Sequence, residues 1–207
     1  RLLESLREGA SFVGGHALLR PVFMTQVIFN MAFFVLQSVY VPYAVHRLGF
    51  SAAEVGATLA SYGVGMVTGA LLAPRVMRTL PLGAVIAIGP LAGLAAALVM
   101  ILTIWAPASA LAGLSFFLMG ASPIIWVIST TTLRQLVTPP RLLGRVSAIY
   151  VLATGARPLG AALGAFVGGC YGAEVCLAVA ASGFLVQALV ILSSPVLRLV
   201  RQPAAAE

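Results

Sequence analysis

The stretch Gly144–Gly169, GRVSAIYVLATGARPLGAALGAFVGG, decides how the rest of the chain is read. It is apolar, and it is long enough to cross a bilayer as a helix, which takes roughly 20 residues. Near its middle stands one charge, Arg157, followed by Gly160, Gly164 and Gly168 at a spacing of four. An ionised side chain at membrane depth is costly and marks function. Small residues four apart let a second helix approach backbone to backbone. At about 100° per residue, Arg157 falls on the side of the glycine stripe, so its charge faces protein or a cavity rather than lipid.

Composition agrees with that reading. The 207 residues are 61% hydrophobic and 8% charged, with a mean hydropathy of +1.08. The charged share is about a third of the roughly 25% of a soluble domain. The chain is therefore an all-α integral membrane protein, with the lipid bilayer as its first partner. All twelve basic residues are arginine, and Lys and Asp are absent. A net charge of +7 in a soluble chain would suggest nucleic acid. Here the arginines sit between apolar runs, so they set orientation in the membrane, and nucleic acid is not expected as a partner. The first twenty residues lack the apolar run and cleavage site of a signal peptide. The chain opens on Arg1 and reads as the interior of a longer protein. Cys170 and Cys176 flank a turn, but two small apolar residues is the simpler reading than a bridge.

Six spans are expected, at about 21–44, 52–77, 82–105, 108–133, 145–168 and 175–194. They make a transmembrane domain over 21–195, after a cytoplasmic amphipathic linker (1–20) and before a cytoplasmic tail (196–207). In the linker, Leu2, Leu3, Leu6, Phe12 and Val13 can lie on the membrane while Arg1, Glu4, Arg7 and Glu8 stay wet, until Gly14-Gly15 breaks the segment. Pro21 suits a helix start. Gln26, Asn30 and Gln37 share one face of the first span, with Phe33 and Phe34 beside it. Ser51 to Glu54 forms a capping box, so Glu54 reads as a cap rather than a proton carrier. Behind it, Ala57, Ser61, Gly65, Gly69 and Ala73 make a second ladder of small residues. The third span is almost wholly apolar and ends at Trp105, suited to the membrane interface. In the fourth, Ser115, Met119, Ser122, Trp126 and Ser129 share a face, and Pro123 predicts a kink. The connector Arg134–Arg145 is basic and is broken by Pro139-Pro140. The sixth span is apolar apart from Ser182 and Gln187 and ends at Pro195.

In threes, these spans repeat. The first and fourth carry polar faces, the second and fifth carry small-residue ladders, and the third and sixth are apolar nearly all round. Three spans per copy inverts the second copy, giving two inverted three-helix repeats, a mark of secondary transporters. With the N-terminus inside, ten arginines fall on inner segments and only Arg47 falls outside. That bias places both ends in the cytoplasm.

The segments REGASFVGGHALLRPVF, LGFSAAEVGATLASYGVGMVTGALLAPRVMR, LRQLVTPPRLLGRVSAIY and TGARPLGAALGAFVGG, in this order, resemble the C-terminal six-helix half of a major facilitator superfamily (MFS) transporter. The likeness is to the bacterial exporter branch that includes the enterobactin exporter, and it covers essentially the whole chain. It implies a bacterial plasma (inner) membrane location, a missing N-terminal half as partner, and alternating access of a small-molecule substrate, without cofactor or metal. It also implies that the second and fifth spans, with Ala57, Ser61, Gly65, Gly69, Ala73, Gly160, Gly164 and Gly168, meet the other half. The family's loop signature, glycine then three residues then Asp-Arg, departs here. Aligned on Gly69, the acidic position is Ala73 and the next is Pro74, leaving only the basic Arg75 and Arg78.

The faces select a substrate cavity of Gln26, Asn30, Phe33, Gln37, Ser115, Met119, Ser122, Trp126, Ser129 and Arg157. Aromatic and amide residues with few charges suit an amphipathic drug or siderophore. Proton coupling needs a titratable group at membrane depth. No glutamate is placed there, so the carboxylate of a proton-driven exporter is expected in the missing half. Arg157 either serves it, holds an anionic substrate, or satisfies carbonyls across an interface. Two other classes are open. Gly113-Leu-Ser115 resembles part of a rhomboid protease motif, but no histidine follows His46 to act as base. A self-contained six-span protein dimerising through its ladders is the other alternative.

Overall fold

The computed structural model describes residues 2–199. Arg1 and residues 200–207, with Arg201 and most of the expected tail, lie outside the described residues, as do the side chains of Leu2 and Leu3. The helices are α1 (Leu2–Gly15), α2 (Leu19–His46), α3 (Ala52–Thr79), α4 (Leu82–Leu102), α5 (Ser109–Val137), α6 (Leu143–Leu152), α7 (Ala156–Tyr171) and α8 (Ala173–Leu192). Among the described residues, six passages are long and apolar enough to cross a membrane: α2, α3, α4, α5, α6 with α7, and α8.

Local chemistry sets the starts of these passages. His16 Nδ1 accepts from the backbone N–H groups of Leu18 and Leu19 at 3.2 and 3.4 Å. It thereby satisfies donors that a helix start leaves unpaired. The first passage thus begins at Leu19, and Pro21 sits in the first turn, where its missing N–H has no helical partner to lose. At the start of α3 the capping box is formed: Ser51 Oγ accepts from Glu54 N at 3.3 Å, and Glu54 Oε2 accepts from Ser51 N at 2.9 Å. Glu54 is held as a cap.

The connector is shorter than expected. Helix α5 runs to Val137, Pro139 and Pro140 break it, and a 3-10 turn over Pro140–Leu142 leads straight into α6. The fifth passage is not one helix. A 3-10 turn over Ala153–Gly155 separates α6 from α7, at a point where Thr154 Oγ1 bonds the carbonyl of Val151 and Gly155 has no side chain to pack.

The packing is an internal repeat. Helix α2 lies along α7 and α8, α3 along α5, and α4 along α5 and α8. Exchanging α2 with α5, α3 with the fifth passage and α4 with α8 converts the α2/α7 pair into α5/α3. It converts α4/α5 into α8/α2 and returns α4/α8 to itself. The two ladders are the seams of this symmetry. A Cβ on Gly160, Gly164 or Gly168 would collide with Met31, Val35 or Val39 of α2, in that order. A Cβ on Gly65 or Gly69 would collide with the backbone at Phe117 or Ala121 of α5, and Ser61 Oγ donates to the Gly113 carbonyl at 2.8 Å. Each pair runs parallel in a four-residue register.

Among the described residues, the glycines of the ladders expected to meet another half face a neighbouring helix of this bundle. Both stripes are filled by helices of the same bundle, because a face without side chains buries most backbone when it meets the nearest neighbour. Of the set, Ala57 is exposed, and Ala73 is buried against Val85 and Ile125.

The first and last described segments, α1 and the turn over Pro195–Arg198, pack at the basic end of the bundle. Val13 is buried with Leu19, Leu142, Val146 and Val196. Gly9 lets α1 touch the Arg145 backbone, and Glu8 pairs with Arg145. Leu6, Phe12 and Val13 of the linker therefore pack on protein. The start of the expected tail is also held: Val196 is buried, and Gly83 N donates to Leu199 O at 2.9 Å. At the opposite end Arg47 Nε donates to Glu174 Oε1 at 2.8 Å. Cys170 and Cys176 are not bridged; Cys170 is exposed rather than buried, and Cys176 is buried.

Candidate functional site

Two large apolar cores, with a smaller cluster at Ala73, Val85 and Ile125, fill the bundle. One contains Tyr40, Met100, Phe116 and Phe184. The other, at the basic end, contains Leu82, Leu133, Tyr150 and Ile191. Between them lies a cavity of about 150 Å³, walled by α2, α3, α4, α5, α7 and α8. Polar residues and helix prolines mark its position in the sequence. Asn30 is about 17 Å along α2 at 1.5 Å per residue, well inside the membrane passage. Pro90 of α4 and Pro123 of α5 both line the cavity. Each lacks the N–H that would bond the carbonyl four residues earlier, a gap tolerated at membrane depth where backbone lines a cavity.

The mouth is polar. Arg157 Nε donates to Asn30 Oδ1 at 2.8 Å. Asn30 Nδ2 donates to the Gln26 carbonyl at 2.8 Å, and Gln26 Nε2 donates to the Tyr150 carbonyl at 3.3 Å. This chain fixes the guanidinium through one nitrogen while the side chain stays exposed at the edge, its carbon 5.8 Å from the centre of the Phe34 ring. Arg157 thus bonds a side-chain amide across the α2/α7 seam. Phe29 and Tyr62 form one wall, with Phe33 behind them, stacked on Phe29 at 5.8 Å and tilted against Tyr62 at 5.7 Å.

Of the residues selected by face, Gln26, Asn30, Ser122, Trp126 and Arg157 line this cavity together. Phe33 stands behind the wall. The others lie elsewhere. Gln37 is exposed on the outside of α2. Ser115 is buried and donates to the Ala96 carbonyl of α4 at 2.7 Å, so the serine of the protease-like triplet is a packing hydroxyl. Met119 is buried in the first core. Ser129 bonds the carbonyls of Ile125 and Trp126 on its own helix. A shared helix face told which way these residues point, but not the depth at which the wall opens.

Sequence reading passed over Thr25, Phe29, Tyr62 and Gln187, all of which line the cavity. Gln187 had a signal: an amide in the middle of an otherwise apolar span is expensive unless something at membrane depth uses it.

The sequence matches the family MFS_3, described as transmembrane secretion effector, over residues 1–205. The chain belongs to that family. It is accordingly a multi-pass membrane protein of MFS transporter type. Among solved structures it is similar to a crystal structure of the peptide transporter POT in complex with alafosfalin. The TM-score is 0.66 at 17% identity, covering 93% of this chain and 42% of that one. At that identity the likeness concerns the fold. The chain spans less than half of that transporter's length. No curated protein sequence matches it.

Proposed function

We propose that this chain forms one half of a proton-driven exporter of amphipathic small molecules, of the drug or siderophore type, working by alternating access in a bacterial plasma membrane. The observation that carries the reading is the mid-depth cavity whose mouth holds the Arg157–Asn30–Gln26 chain. An exposed guanidinium bonded through a single nitrogen has donors left for a carboxylate or an anionic substrate. Coupling draws on a carboxylate supplied from outside the residues described. Among those residues Glu54 is a cap, Glu174 pairs with Arg47, and Glu4 and Glu8 lie on α1 before the first passage. The basic end is cytoplasmic in this reading, in accord with the arginine bias.

The test uses the full-length protein in proteoliposomes with an imposed pH gradient, and efflux of ethidium and of carboxyfluorescein as cationic and anionic amphipathic probes. Arg157→Ala is expected to lower gradient-driven efflux of at least one probe tenfold or more at equal reconstitution. Efflux unchanged for both probes would remove Arg157 from the mechanism.

A further inference from the structure

The deep end of the cavity differs from its mouth. There Thr25 Oγ1, Ser122 Oγ and both amide atoms of Gln187 have no hydrogen-bond partner. The three side chains are 1%, 3% and 0% exposed, and they line the cavity from three different helices. Away from the cavity, Thr138 Oγ1 is also buried without a partner, but most other hydroxyls on the membrane helices are paired. Ser38, Thr58, Thr68, Thr130 and Thr132 all donate to carbonyls of their own helices. Buried polar groups in native proteins are nearly always paired, so three orphaned side chains around one cavity ask for a ligand. Space is kept for the amide. A Cβ on Gly93 would meet Gln187 Nε2 at 3.0 Å and the Phe184 ring at 3.1 Å.

We infer that Gln187, Ser122 and Thr25 form a binding subsite for an uncharged carboxamide-like group of the transported molecule. A glutamine amide presents a donor and an acceptor side by side, which is complementary to another carboxamide in a paired, two-bond arrangement. The hydroxyls of Ser122 and Thr25 supply further donors or acceptors. None of the three ionises, so a charged group would lose its hydration there without compensation. The ligand would then lie with its carboxamide at Gln187, its apolar body beside Phe29 and Trp126, and any acidic group toward Arg157. The subsite rests on the transport reading for its biological use, but binding tests it separately.

The probes are benzamide, which carries the amide, acetophenone, which carries only an acceptor, and ethylbenzene, which carries neither. Saturation-transfer NMR measures each on full-length protein in nanodiscs, for the wild type, Gln187→Leu, Gln187→Met and Ser122→Ala. Benzamide is expected to give a saturable signal that falls at least fivefold in both Gln187 variants. Acetophenone should bind more weakly than benzamide in the wild type, and ethylbenzene should be unchanged throughout. Removing a buried unpaired amide relieves its desolvation, so both Gln187 variants should melt at or above the wild-type temperature. Benzamide signal retained in either Gln187 variant, or equal to that of ethylbenzene in the wild type, overturns the subsite. A Gln187 that merely holds internal water predicts that retained signal. Should benzamide depend on Gln187 while efflux ignores Arg157, the subsite stands and the role of the mouth falls. The reverse pattern removes the subsite alone.

Discussion

At the scale of single residues, the Arg157–Asn30 contact carries the most consequence. Interhelical polar contacts in membranes are worth about 0.6 kcal/mol on average and about 1.7 kcal/mol at most. A double-mutant cycle of Arg157→Ala and Asn30→Ala, read by thermal unfolding in detergent, should give a coupling within that range. A coupling near zero would mean that the contact does not hold in the protein. Both residues could be found from sequence, because each is a polar exception in an apolar helix. Their partnership could not, since 127 residues separate them. His16 offers a second test. Burial holds its imidazole below the ordinary value of 6.5. The unfolded chain therefore takes up the proton first as pH falls, so stability is intact above about 6.5 and is lost as pH drops from there toward the lower folded value. Protonation at Nδ1 also removes the acceptor that caps α2. The melting temperature should fall on acidification more in the wild type than in His16→Asn, which keeps an acceptor without titrating. Equal slopes would contradict this.

At the scale of elements, the ladders explain why the spans lie where they do. A side chain at Gly164 would run into the Val35 backbone and Ser38. Overpacking costs typically about 1–3 kcal/mol, and the upper part of that range is expected where the obstacle is backbone. Gly164→Val should therefore melt well below the wild type. Gly169→Ala, which meets nothing within 4 Å, should stay within about 0.5 kcal/mol. If both behave alike, the α2/α7 seam is wrong. The ladders were legible because spacing by four is a local property of the sequence. Which helix fills a ladder was not, since any close-packing neighbour satisfies the same pattern. The joint at Ala153–Gly155 escaped for a related reason: Thr154-Gly155 lowers helix propensity, but an apolar run that continues across it hides the break.

For the molecule as a whole, the sequence order of lining, ladder and scaffold spans becomes a pattern of helix pairs that maps onto itself when the two triplets are exchanged. The fold was legible at this scale because both copies repeat the same division of labour. The cavity was only half legible. Helical faces identified Gln26, Asn30, Ser122, Trp126 and Arg157, whereas depth, set by where the two cores end, excluded Ser115, Met119 and Ser129 and admitted Gln187 from a span read as scaffold. The central claim is that this cavity is the transport site. It is tested most directly by placing single cysteines at Asn30, Ser122 and Val127, with Leu98 and Leu189 as lipid-facing controls, in full-length protein lacking Cys170 and Cys176. A membrane-impermeant maleimide should label the three cavity positions at one pH, lose them when the pH gradient is reversed, and leave both controls unlabelled throughout. Cavity positions that stay unlabelled under every gradient, or that label no faster than Leu98 and Leu189, would contradict the account.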